Sequence, residues 1–322
     1  MRAEPTIVTL TMNPALDVTT DTERVLPTDK LRCGPARYDP GGGGINVART
    51  VRVLGAPVCA IFPAGGAAGD IVTDLVSSAG IPIRRIDIAG DTRESLTVNE
   101  RSTGRQYRFV LPGPTLDPDE QAACLAELAA AAVSADYVVA SGSLPPGVPG
   151  NFYESVAEIC RATGTRLVLD TSGAGLQNIS SRVHLLKPSV RELRECVGRV
   201  LADEADQLAA ARELIETGRA EIVVVSLGAR GALLVTTDTG LRYAPVDVPF
   251  GSGVGAGDAM VAAITVGLSR GWSLDGAVRL GIAAGGAMLL TPGTAPCTRP
   301  DVERLFELVD DPVEVATATN VP

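Results

Sequence analysis

Short apolar runs alternate with helix-length amphipathic stretches along this chain. Residues 7–11 (IVTLT), 58–62 (VCAIF), 137–141 (YVVAS), 166–170 (RLVLD), 183–187 (VHLLK) and 221–226 (EIVVVS) are rich in β-branched side chains and apolar on successive positions. Strands buried on both faces read this way. Between them lie helical patterns. Residues 117–134 open with Asp117 at the N-cap, Pro118 at the first helical position and Asp119 and Glu120 in the first turn. Residues 202–218 close on Gly218, a helix-stop signal. Strand–helix alternation predicts an α/β chain with a mainly parallel sheet between two helical layers. Ligands in such folds collect at the C-terminal ends of the strands.

Two segments break the rhythm. Residues 17–39 and 93–110 alternate polar and apolar positions and carry many charges, as in ESLTVNERSTGRQYRFV. Period-two alternation predicts a small sheet with one wet face. Both segments are insertions between elements of the main sheet, so they are expected to form a lid over the site. The chain is expected to be one domain over 1–312, with 313–322 as a loose tail.

Composition narrows the partners. The 322 residues are 45% hydrophobic and 20% charged, which is globular. No run reaches the roughly 18 apolar residues of a membrane span, and the start shows no signal-peptide core. Six cysteines stand without any CxxC pair, which argues against zinc and a disulfide framework and for a reduced, cytoplasmic setting. A net charge of −10 argues against nucleic acid and anionic membrane. A phosphate-bearing substrate would need a local basic cluster. There are 26 arginines but only two lysines, Lys30 and Lys187.

The stretch FGSGVGAGDAM (250–260) leads four glycines into one aspartate ahead of a long apolar helix. Glycines permit a tight turn, and free N–H groups at the helix start favour an anion. Asp258 then lies in the first turn beside that anion site. GSGVGA (251–256) fits GxGxxA, but a dinucleotide fingerprint opens a βαβ unit at a first strand, and this loop is near the C-terminus. No GxxxxGK[ST] occurs. A second cluster, YDPGGGGINVAR (38–49), again suggests close backbone approach to a ligand, with Asn46 and Arg49 on the following helix. Asp17 follows the first strand, where a carboxylate can accept from sugar hydroxyls. Lys30, Arg32, Arg93 and Arg108 in the lid segments could supply the basic cluster. Ser143, Lys187 with Glu192, and Ser226 with Gly228 follow other strands. His184, the only histidine, sits in a strand and reads as structural, so the base is a carboxylate and Asp258 is the candidate.

Taken together, GGGGINVAR (41–49) and GVGAGDAMVAA (253–263) resemble the two signatures of the ribokinase-like sugar kinases, the PfkB carbohydrate kinase family. AIFPAGG, QYRFVLPGP, SGSLPPGV and VVVSLGARGAL are most similar to its minor-type bacterial 6-phosphofructokinase branch. The resemblance implies a ribokinase-like three-layer α/β/α fold with a β-sheet lid. It implies transfer of the ATP γ-phosphoryl group to the 1-hydroxyl of fructose 6-phosphate. Tagatose 6-phosphate and fructose 1-phosphate are the alternative substrates; a non-catalytic sugar-phosphate sensor is a remoter reading. By the same resemblance Asp258 is the base, and Gly255, Ala256 and Gly257 form the anion hole. Asp17, Gly42, Gly43 and Asn46 match sugar-binding positions, and Lys30, Arg32, Arg93, Arg108 and Ser143 match lid and sugar-phosphate positions. Lys187, Ser189, Ser226, Gly228, Gly253, Ile282 and Gly286 match the nucleotide side. Mg2+ would ride on ATP, held through water near Glu192 and Asp170, with a monovalent cation such as K+ as a further cofactor. A homodimer through the lid is implied. Two departures bear on nucleotide and magnesium handling: Ser189 stands in the asparagine slot of N-x-x-E, and Phe250 and Gly253 replace small polar residues.

Overall fold

The computed structural model describes residues 7–249, 253–291 and 295–315. The strands are β1 (Ile7–Leu10), β2 (Ala15–Thr22), β3 (Arg37–Gly41), β4 (Val58–Ala64), β5 (Ile83–Asp87), β6 (Arg93–Glu100), β7 (Arg105–Val110), β8 (Tyr137–Ser141), β9 (Arg166–Asp170), β10 (Val183–Leu186), β11 (Ala220–Ser226), β12 (Ala232–Val235), β13 (Gly240–Tyr243) and β14 (Val313–Glu314). The helices are α1 (Gly43–Val53), α2 (Gly66–Ser78), α3 (Pro118–Ala132), α4 (Phe152–Thr163), α5 (Ala174–Gln177), α6 (Val190–Val197), α7 (Glu204–Glu216), α8 (Ala256–Ser269), α9 (Leu274–Met288) and α10 (Arg299–Phe306).

The main sheet has ten strands in the order β14-β13-β12-β11-β10-β9-β8-β1-β4-β5. Pairing is parallel from β5 to β11 and antiparallel from β11 to β14. All six strands expected from the apolar runs are present. Alternate side chains of each feed two separate cores. Ile7, Val139, Val168, Leu185 and Val224 pack with α1, α2, α8, α9 and α10. Val8, Val138, Leu169, Leu186 and Val225 pack with α3, α4, α6 and α7. This is the expected three-layer arrangement. Helix α3 starts as its sequence dictates: Asp117 Oδ1 accepts from Glu120 N at 2.8 Å, and Glu120 Oε2 accepts from Asp117 N at 2.9 Å.

From β1 the chain runs outward to β4 and β5 on one side and later returns to β8 on the other. The gap between the C-terminal ends of β1 and β8 is therefore the topological switch point, where a crevice opens.

The lid is a four-stranded sheet, β3-β2-β6-β7. Strands occupy only the ends of the first expected segment. Residues 23–36 form no strand: Thr28 takes φ 69°, and Pro27 and Pro35 offer no donor to a ladder. Tyr38 and Leu96 both register opposite Val18, and Phe109 opposite Leu96, so four apolar residues cross all four strands in one row. Tyr38, Leu96 and Phe109 are exposed. The expected loose tail begins differently, because Val313–Glu314 pairs with β13 along the sheet edge. Residues 316–322 of that tail lie outside the described residues, as do Phe250, Gly251 and Ser252 of the glycine loop. Among the described residues no helix is long and apolar enough to cross a membrane.

Candidate active site

Helix α8 begins at the crevice. Gly255 is its N-cap, at φ 78° and ψ −2°, a left-handed conformation that only glycine adopts without strain. The turn brings Asp258 into the first helical turn and exposes main-chain N–H groups. Among the described residues, Gly255 N and Gly257 N meet no acceptor, while Ala256 N reaches Gly253 O at 3.3 Å. Among the described residues, two of the three expected anion-hole donors thus have no acceptor, and the third is loosely held.

Asp258 is gripped from two other elements. Asn46 Nδ2, on α1, donates to Asp258 Oδ2 at 3.0 Å, and Ser141 Oγ, at the end of β8, donates to Oδ1 at 3.4 Å. Burial, reinforced by the charge of Asp170, pushes its pKa up to about 7, against the opposing pull of Asn46, Lys187 and Ser141. A carboxylate poised near neutrality suits proton abstraction at physiological pH.

Lys187 follows β10 and is 4% exposed. Its Nζ lies 3.0 Å from Asp170 Oδ1 at the end of β9, and a methyl group on Gly257 would come within 3.4 Å of it. The ammonium therefore sits against the first turn of α8. Burial opposes its charge, but Asp170, Glu192 and Asp258 outweigh burial and raise its pKa. An ammonium in this position is a point charge beside the anion site.

Ser189 and Glu192 form a reciprocal cap on α6: Glu192 N donates to Ser189 Oγ at 3.3 Å and Ser189 N to Glu192 Oε2 at 2.8 Å. This gives the serine substitution a local meaning, since S-x-x-E is a capping box. One Glu192 oxygen is thereby occupied, and Asp170 is paired with Lys187. Among the described residues no group of three or more carboxylates, cysteines or histidines could hold a metal. That donor set fits magnesium carried in on nucleotide phosphates with its own waters, not a dedicated cage.

Ser226 makes a parallel bridge with Ser189, its N donating to Pro188 O at 2.9 Å, and Gly228 follows at φ 62°. Both thus stand beside the Ser189 cap. Gly253 is exposed, and Gly286 lies next to Leu305 and Val246. Ile282 is 4% exposed and belongs to the core under α8 and α9.

On the lid side, Asp17 in β2 faces Asp39 in β3 and Ser95 in β6. Burial raises its pKa to about 6, while Arg108 and Arg93 lower it and Asp39 raises it. Arg93 donates to Asn13 O at 3.1 Å and Leu111 O at 3.2 Å, and Asn13 Nδ2 donates to Ser143 Oγ at 3.1 Å. Arg108 is exposed. Asp17, Arg93, Arg108 and Ser143 are thus gathered into one network. Lys30 and Arg32 are not: they lie exposed in the 23–36 connection, and neither contributes to the charges acting on Asp17.

The first glycine cluster also lies close against this chain's own strand ends. A methyl group on Gly43 would fall 2.3 Å from Ser141 Oγ, and one on Gly44 would fall 2.6 Å from Leu10 O. These glycines let α1 dock on the ends of β1 and β8, which is what carries Asn46 to Asp258. Sequence reasoning passed over Asn13 and Ser141. Each lies within three residues of a strand's C-terminal end, a signal that was available. His184 is half-buried near the start of β10, with Nδ1 2.8 Å from Glu221 Oε2, away from these strand ends.

A buried carboxylate at a helix N-terminus, a buried lysine beside it and two arginines acting on a second carboxylate of the small sheet fit a phosphoryl-transfer site. Residues 8–301 match the pfkB family of carbohydrate kinases. This chain belongs to that family. It is 65% identical to the ATP-dependent 6-phosphofructokinase isozyme 2 of Mycobacterium tuberculosis (strain CDC 1551 / Oshkosh), over 97% of this chain and 92% of that protein. It is 40% identical to the same isozyme of Escherichia coli (strain K12), over 93% and 97%. The crystal structure of phosphofructokinase-2 from Escherichia coli in complex with potassium superposes with TM-score 0.90 at 39% identity, covering 94% of this chain and 98% of that one. Further structures of the Escherichia coli protein hold fructose-6-phosphate or show a tetrameric inhibited form.

Proposed function

We propose that this pfkB-family carbohydrate kinase is an ATP-dependent 6-phosphofructokinase of the cytoplasm. The single observation that carries the mechanism is the environment of Asp258: a carboxylate with pKa near 7, at an open helix N-terminus, 3.0 Å from Asn46. In this reading Asp258 takes the proton of the sugar 1-hydroxyl as that oxygen attacks the γ-phosphorus of ATP. The N–H groups of Gly255, Ala256 and Gly257, with the Lys187 ammonium, hold the transferring phosphoryl group. Asp17, Gly42, Gly43 and Asn46 orient the sugar, and Arg93, Arg108 and Ser143 meet its 6-phosphate, with Lys30 and Arg32 outside that group in the exposed connection. Ser189, Ser226, Gly228, Gly253, Ile282 and Gly286 border the nucleotide. Glu192 and Asp170 would hold, through water, the magnesium carried by ATP, which would offset charge on the phosphates. The domain spans 1–312.

We assign K+ as an activator. Thr291 Oγ1 lies 2.9 Å from Met288 O and 3.0 Å from Ala295 O, with one proton to share between them, so these oxygens cluster at the C-terminal end of α9. Hard oxygen donors suit an alkali cation. We also assign a homodimer through the lid, supported by the exposed Tyr38, Leu96 and Phe109, which flank the half-buried Val18 in one row. Phe109→Asp should leave a monomer by sedimentation; an unchanged mass would remove the lid from assembly.

The deciding experiment is a coupled ADP-release assay with Mg-ATP against fructose 6-phosphate, fructose 1-phosphate and tagatose 6-phosphate. Fructose 6-phosphate should give the highest kcat/KM. A larger value for either other sugar reassigns the substrate, and no turnover with any of them makes the chain a binding protein.

A further inference from the structure

The turn Ser141–Gly142–Ser143 links the two halves of the site. Ser141 donates to Asp258, and Ser143 accepts from Asn13. Gly142 between them takes φ 107°, where a glycine peptide has ready access to a flipped orientation. It is held against that flip from both ends. Gly142 N donates to Asp170 O at 2.9 Å, continuing the β8–β9 ladder. Gly142 O accepts two hydroxyls: Tyr153 Oη from α4 at 3.1 Å, and Thr171 Oγ1, one residue past β9, at 2.9 Å. Tyr153 is 1% exposed and Thr171 4%. Two buried hydroxyls from separate elements on one carbonyl exceed what satisfying that carbonyl requires.

The geometry of a trans peptide gives the arrangement a direction. C=O and N–H of one peptide unit point oppositely. With the Gly142 carbonyl drawn into the protein, the N–H of Ser143 points out toward the crevice. Ser143 is exposed, and its N–H meets no acceptor among the described residues. We propose that Tyr153 and Thr171 are positioning residues that fix the Gly142–Ser143 peptide so that the Ser143 main-chain N–H binds the phosphosugar. This rests on the reading above that Ser143 borders the sugar. The bound group is an oxygen acceptor of the sugar or its phosphate, and the contribution is a hydrogen bond with no group transferred.

The test uses the full chain, with KM measured separately for fructose 6-phosphate and ATP, alongside thermal melts. Tyr153→Phe and Thr171→Val each remove one hydroxyl and keep the volume. Each should raise KM for fructose 6-phosphate about 2- to 10-fold, the range for one neutral hydrogen bond, and leave KM for ATP and kcat within about twofold. Thr171→Ser keeps the hydroxyl and should restore the wild-type KM. The double variant should exceed either single; if it does not fold, the singles decide. Folded singles with wild-type KM for the sugar overturn the inference, as does a Thr171→Ser as impaired as Thr171→Val. Arg108→Ala serves as the separate arm. If it too leaves the sugar KM unchanged, the assignment of this side to the sugar falls, whatever Tyr153 does.

Discussion

Asn46 Nδ2 lies 3.0 Å from Asp258 Oδ2, joining two glycine-rich helix starts that are 212 residues apart in the chain. The bond fixes one carboxylate oxygen, and Ser141 approaches the other. Asp258→Asn should therefore keep the fold and lower kcat by about 10²–10⁴-fold, the effect of losing a general base. In wild type, kcat/KM should fall as pH drops through about 7, where the carboxylate is protonated. Asn46→Ala removes a contact that favours the charged form, so the acid limb should move to higher pH. A pH profile flat between 6 and 8 would remove Asp258 from this role.

The same residue sets a stability trend. Its folded pKa is about 7 against an ordinary 3.8. Between those values the folded chain holds a proton that the unfolded chain has released, so this group's contribution falls as pH rises through the window and stays low above it. Asp258→Asn, which cannot ionise, should be more stable than wild type at pH 8 and close to it at pH 4. Urea midpoints at both pH values check the sign. Equal differences at the two pH values would contradict a buried, ionising carboxylate.

Arg93 and Arg108 flank Asp17 but are not equivalent. Arg93 spends its guanidinium on Asn13 O and Leu111 O, while Arg108 projects from the exposed strand β7. Arg108→Ala should raise KM for the phosphosugar about 10-fold or more, with KM for ATP unchanged and little loss of Tm. Arg93→Ala should raise the same KM and also lower Tm, because it strands two carbonyls. Steady-state rates with each substrate varied, plus melts, separate the two. Loss of ATP affinity alone would reverse the division of the cleft.

Ser189 caps α6 and, through that cap, holds Glu192. Ser189→Ala should cost about 1 kcal/mol of stability and raise the magnesium needed for half-maximal rate, since Glu192 N loses its acceptor and the turn that carries the carboxylate loosens, although Ser189 N still donates to it. Ser189→Asn retains an N-cap acceptor and should leave both nearly unchanged. A magnesium optimum altered by asparagine but untouched by alanine would place the side chain itself among the metal's waters.

Much of the fold was legible because the signals are local. Six apolar runs gave six strands, and Asp117-Pro118 gave the start of α3. The strands left unseen are short or charged: β5 is IRRID, an edge strand with little apolar pattern, and β12 and β13 have four residues each. Asp258 was legible from its glycines, because a left-handed N-cap is a sequence-level demand. Asn13 was marked only by its place after β1; its part in joining Arg93 to Ser143, across 80 and 130 residues, is not a local signal. The packing that the GGGG cluster permits was also hidden: its close neighbours are atoms of Asp17, Thr11, Ser141 and Leu10 in or next to other strands, which no pattern in one segment can reveal.

The lid is wired to the floor of the cleft by very short joints. Strand β1 ends at Leu10 and β2 begins at Ala15; β3 ends at Gly41 and α1 begins at Gly43. Arg49, two turns into α1, clasps Asp39 and Pro40 O in β3. There is no slack for the cover to swing while the base plate stays still. A tilt of β2 and β3 would pull on Arg49 and so on α1, which carries Asn46. On the proposed reading, covering the sugar and aligning the proton acceptor would be one movement.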